Sequence, residues 1–230
     1  MQWLDAACQK LLSSTDIEND LCTFSAMALR KLGHKPLGDT AEALETPHGT
    51  LQISNWAAGN AGRIILMLKV ISAYSDMRVS LVKAAFRNGD EIERANIVSA
   101  LVLFPDAGDL KSIALEAGRI NSLVLYMALT VNNPYPAAFY AEHEFNQLVM
   151  KALFQGINIE FVYGLAQRTN PELSRMCEDY IDERMDAKRT VPADIWLATQ
   201  PFISPRGRQQ MAQLEKQDPR HKEFSDKATI

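Results

Sequence analysis

The stretch 117–156, AGRINSLVLYMALTVNNPYPAAFYAEHEFNQLVMKALFQG, decides the fold class. Two apolar segments with helical spacing, 121–131 and 141–155, flank Asn132-Asn133-Pro134-Tyr135-Pro136, a run of turn formers. Neither flank alternates apolar and polar residues as a half-buried strand does. Glu142 and Glu144 open the second segment, where a helix N-terminus favours negative charge, and Gly156 stops it. Arg119, Asn121, Asn146 and Gln147 sit on or beside these apolar faces. The pattern is that of one packed helix pair.

Outward from this pair the same punctuation recurs. Residues 2–12 read as a helix with Trp3, Leu4, Ala7, Leu11 and Leu12 on one face. Thr15 followed by Glu18 reads as a capping box for a second helix that stops at Gly33. Residues 34–59 are irregular, with Pro36, Gly38, Pro47, Gly49 and Gly59, and a short helix is expected at 39–45. Helical spacing returns at 61–74, then at 75–88, 90–104, 107–119, 158–168, 171–188 and 193–198, with Asp90 as a cap and Pro171 at a helix start. From residue 75 the helices fall into couples, 75–104, 107–131, 141–168 and 171–198, each of about 25–30 residues. The chain therefore reads as all-α, stacked antiparallel helix pairs forming either a short HEAT-like solenoid or a compact bundle. A single domain is expected over 1–198. The tail, 199–230, is polar and mildly basic, and is expected to be a docking arm or partly disordered.

Composition narrows the function classes. The chain has 230 residues, 47% apolar and 23% charged, and a net charge of -4, so no general attraction to nucleic acid or to an anionic membrane is expected. Its longest apolar run, Leu123 to Val131, is about half of what a membrane span needs. The N-terminal MQWLDAACQK lacks the pattern of a secretory signal. Cys8, Cys22 and Cys177 are odd in number and far apart, which suits reduced, buried thiols and the cytoplasm.

No motif supplies a reaction centre: there is no P-loop, GxGxxG, GxSxG, DDxxD or Cys–His pairing, and neither cofactor nor metal is expected. Glu142-His143-Glu144 lacks the second histidine of a zinc site, since position 147 is Gln. Asn121 reads as the cap of the 121–131 helix and Arg119 as cover for the preceding C-terminus, or the guanidinium holds an anion at the mouth of a helix pair. Asn60-Ala61-Gly62-Arg63 offers a weaker anion site. One of Asn146 and Gln147 must face inward, with the Asn132–Pro136 backbone as a near candidate partner in a structural clasp, or with the amide reading a ligand as the alternative. The run 172–188 places Leu173, Met176, Cys177, Tyr180, Ile181 and Met185 at helical spacing, leaving its charges on a solvated face.

The segments EAGRIN (116–121), NNPYPAAFY (132–140), FNQLVMKALFQG (145–156) and NPELSRMCEDYIDERMDAKRTVPADIW (170–196) together resemble the EboA family. The resemblance is strongest over residues 85–197 and loose over the first 80. It implies a protein encoded beside a prenyltransferase-type membrane enzyme and several soluble enzymes, in a gene cluster for secondary metabolism and metabolite traffic. It transfers no catalytic residues. The first expectation is thus a non-enzymatic binding or adaptor protein, cytoplasmic or held at the inner membrane by partners, which binds a small metabolite or scaffolds the cluster's enzymes. Arg94, Arg119, Asn121, Asn133, Tyr135, His143, Asn146 and Gln147 are its candidate ligand- or partner-binding residues, with Tyr135, Phe139 and Tyr140 as an exposed partner patch. The alternative is an enzyme on a phosphorylated or prenylated small molecule, with Arg63, Arg94 and Arg119 around the anion and His143 or Glu116 moving a proton. A homodimer built on an apolar groove is a third.

Overall fold

The computed structural model describes residues 2–37, 43–200 and 202–228. Fourteen α-helices and one two-stranded sheet occur among them, so the chain is all-α. They divide into two compact units, the first running to Leu129 with Asn133–Tyr135, the second holding Thr130–Asn132 and the residues from Pro136 onward.

In the first unit, α1 (Gln2–Leu12) and α2 (Ile17–Leu32) form where the apolar spacing places them. The cap of α2 is Asp16, whose Oδ1 accepts from the Asn19 N–H at 3.4 Å; Thr15 lies one residue outside. Residues 43–46 and 49–52 form an antiparallel hairpin, β1 and β2, turned at Pro47-His48. The helix expected at 39–45 is thereby overturned over 43–45, and 38–42 lie outside the described residues. Next come α3 (Ala58–Ala73), α4 (Arg78–Asn88), α5 (Glu91–Ser99), α6 (Lys111–Arg119) and α7 (Leu123–Thr130). Short 3₁₀ turns join several of them, at Ser75–Met77, Leu101–Leu103 and Ala107–Leu110, which is where single long helices were expected.

Helices α2 and α3 approach closely because Gly59 has no side chain: a Cβ there would stand 2.4 Å from Leu29 Cα. Below that contact Leu66, Met67, Val70, Leu21 and Ala28 are fully buried. The Asn60–Arg63 segment thus serves packing. Asn60 Oδ1 accepts the Ala57 N–H at 2.9 Å, and Arg63 points into the interior.

In the second unit, α8 (Pro134–Phe139) contributes its residues from Pro136, followed by α9 (Glu142–Gln155), α10 (Leu165–Arg168), α11 (Pro171–Asp186) and α12 (Trp196–Thr199). The tail is helical as well: α13 (Pro205–Gln217) and α14 (Arg220–Lys227). Polar groups dock α13 on α11. Buried Glu178 accepts from the Ser204 N–H at 2.8 Å and the Ser204 Oγ–H at 2.5 Å, and Arg206 pairs with Asp179 at 2.8 Å and Asp182 at 3.2 Å. The charged face of α11 is therefore partly covered, where composition suggested a solvated one.

Candidate functional site

The polar residues inside the first unit are joints. The Arg63 guanidinium is 1% exposed and donates from Nε to Ser25 O, from Nη1 to Asn96 Oδ1 and from Nη2 to Glu93 Oε1, each at 3.1 Å. It ties α2, α3 and α5 together. Burial pushes its pKa below the ordinary arginine value, and the Glu93 carboxylate opposes that. Glu93 Oε2 also accepts the Asp90 N–H at 3.0 Å, so one carboxylate both caps α5 and neutralises a buried cation.

Asn133 holds the turn after α7. Its Nδ2 donates to Ala128 O at 2.9 Å and its Oδ1 accepts the Tyr135 N–H at 3.0 Å. Tyr135 is fully buried and donates its hydroxyl to Ala107 O at 2.6 Å; burial drives its pKa upward. Tyr140 is buried too, which removes the expected exposed patch of Tyr135, Phe139 and Tyr140. Arg94 donates to Gly89 O and Arg87 O, both at 2.8 Å, covering the C-terminus of α4. Arg119 is exposed at the end of α6. Asn121 is exposed as well, and Ser122 caps α7 instead, its Oγ accepting the Leu125 N–H at 3.1 Å. A pocket of about 240 Å³ beside Arg63 is bordered by Arg30 and His34 but by neither Arg94 nor Arg119.

In the second unit Asn146 is the inward residue of its pair and Gln147 is exposed. The partner of Asn146 is Asn170. The two amides exchange hydrogen bonds at 3.1 and 2.9 Å, while Asn170 Oδ1 caps α11 on the Leu173 N–H at 2.9 Å. The Asn132–Pro136 backbone plays no part in this pair. His143 is exposed on the first turn of α9, where Glu144 Oε2 accepts the Ala141 N–H at 2.7 Å. Among the eight sequence candidates, Asn133 and Tyr135 touch each other, and they do so as one structural clasp.

The structure assembles a different site. A cleft of about 470 Å³ lies between the C-terminus of α11, the segment 188–191, the last turn of α13 and the first of α14. Met185, Val191 and Leu214 supply apolar wall, and Lys188, Arg189, Arg220 and His221 supply polar groups. Lys188 stands at positive φ (55°), which turns the chain out of α11. His221 is 3% exposed, and its Nδ1 accepts the Trp196 Nε1–H at 3.0 Å. An indole nitrogen only donates, so the neutral imidazole carries its proton on Nε2. Burial lowers the His221 pKa, partly offset by Asp218. None of these cleft residues is a sequence candidate. The available signals were the Lys188-Arg189 pair ending a charged helix, and a tail richer in Lys and Arg than in Asp and Glu.

A family model described as Metabolite traffic protein EboA matches residues 1–200. The chain belongs to the EboA family. No curated protein and no solved structure matches it. The EboA-family span contains the first wall of the cleft, α11 and Lys188–Val191, whereas α13 and α14 lie beyond it. The family description supports a general metabolite-related role. Among the described residues no helix is long and apolar enough to cross a membrane.

Proposed function

We propose that this EboA-family protein binds a small metabolite in the cleft between α11, α13 and α14, as a carrier or holder and without catalysing its conversion. The cleft itself carries this reading: its volume, about 470 Å³, falls in the range of small-molecule sites, and it combines apolar wall with a few polar groups. The buried polar residues elsewhere support it, because Arg63, Asn133 and Asn146 are committed to holding helices together. An anion site formed jointly by Arg63, Arg94 and Arg119 has no support in their separate attachments. Equilibrium dialysis against the small-molecule fraction of a host extract, read by mass spectrometry, tests the proposal. The wild-type chain is expected to enrich a compound that Gln217→Trp, which fills the cleft from its exposed rim, does not. Equal enrichment by both proteins, or by neither, overturns it.

A second reading, docking to a protein of the same gene cluster, is favoured by α7. Leu123, Val124 and Met127 are 51%, 42% and 44% exposed on that helix, an apolar stripe facing outward. Capture of a cluster protein that is abolished by Val124→Glu with Met127→Glu, with dialysis unaffected, would support it.

A further inference from the structure

We propose that the cleft ligand is a small organic phosphate, its dianionic phosphoryl group held by Lys188 and Arg189 and oriented by the Nε2–H of His221. This rests on the cleft being the metabolite site.

Charge selects the sign of the ligand. Of the charged residues around the cleft, Lys188, Arg189 and Arg220 are cations and Asp218 is the one carboxylate. Asp218 is occupied by Arg220, whose Nη2 lies 2.6 Å and Nε 3.0 Å from its Oδ2. Lys188 and Arg189 have no side-chain ion pair among the described residues. Two positive charges are thus left uncompensated at one opening of a chain whose net charge is -4. A phosphate monoester carries roughly -1.5 to -2 at neutral pH and presents three acceptor oxygens, which matches that pair. A single carboxylate would leave one cation unanswered.

His221 adds direction. Its Nδ1 is held by Trp196, so the other nitrogen of the neutral ring, Nε2, can only donate, and the residue, 3% exposed, lines the cleft. A neutral donor fixed by an indole serves an anion without bringing a further charge out of water. Met185, Val191 and Leu214 leave room for a carbon skeleton, so the occupant is an organic phosphate and not the bare ion.

The test is isothermal titration of the full chain at low salt with glycerol 3-phosphate, with glycerol as the uncharged counterpart and with vesicles containing phosphatidic acid. Binding of glycerol 3-phosphate or of the vesicles, but not of glycerol, is expected, and it tells a free phosphate from a lipid-borne one. Lys188→Gln with Arg189→Gln, both exposed positions that leave the core intact, should weaken that binding at least tenfold. The His221 Nε2 resonance should shift on titration in the wild type. Absence of binding to either phosphate, or equal binding by the double variant, overturns the proposal. If dialysis at the same time enriches a neutral compound that Gln217→Trp rejects, the metabolite-site reading stands and the phosphate assignment alone falls.

Discussion

Removing the Arg63 guanidinium leaves Glu93 charged and nine-tenths buried, with Ser25 O and Asn96 Oδ1 short of a donor. Arg63→Ala is therefore expected to lose about 3–5 kcal/mol in urea unfolding, the usual cost of breaking a buried pair from one side. Arg63→Lys should fall short as well, because an ammonium cannot span three acceptors held at 3.1 Å by a planar fork. Tyr135→Phe deletes the bond to Ala107 O and should cost about 1 kcal/mol with dialysis unchanged. A ligand-contacting Tyr135 would show the opposite split. At this scale the sequence shows that one of Asn146 and Gln147 faces inward, but it reads Arg63 as part of a weak anion site and misses its burial. It does not indicate their partners: Asn170 and Glu93 lie 24 and 30 positions away, and only the fold brings them into reach.

Helices long enough to show an apolar stripe are legible; elements held by other means are not. The β1–β2 hairpin has one buried residue, Leu51, and so lacks the apolar alternation that marks a strand. Its turn is closed by Thr46, whose hydroxyl bonds His48 N–H and Gly49 O, in place of an Asn-Gly pair. Helix α13 reads in the sequence as a docking arm or partly disordered tail, because its docking is made by the polar residues Ser204, Arg206 and Gln210 onto α11. Gly207 makes that contact possible, as a Cβ there would lie 2.5 Å from Glu178 Oε1. Gly207→Ala is expected to cost about 1–3 kcal/mol, the range for overpacking, and to appear as lost amide-exchange protection across 205–217. Protection equal to wild type would mean that α13 does not dock on Glu178.

For the whole molecule, the His221–Trp196 contact makes stability depend on pH. The folded pKa of His221 is lowered, chiefly by burial and also by Arg220, against Asp218 and Glu215, which raise it. The folded state therefore favours the neutral ring. Its contribution is complete above the free histidine value, about 6.5, and is lost as pH falls through the depressed folded value. Protonation also places a hydrogen on Nδ1, where the indole N–H needs an acceptor. Urea midpoints should fall between pH 7.5 and 5.5, and His221→Gln should flatten that slope. The all-α class and the EboA likeness were legible over the long helices. The cleft was not, because its walls come from α11 and from a tail whose order depends on polar docking.

The most direct test of metabolite binding is native mass spectrometry of the full chain purified from its own host, compared with its denatured mass. The expected spectrum shows added mass that denaturation releases as a phosphorylated small molecule, and that is missing from Gln217→Trp. A bare chain, or added mass that the variant retains, would contradict the cleft as the place where this protein holds its metabolite.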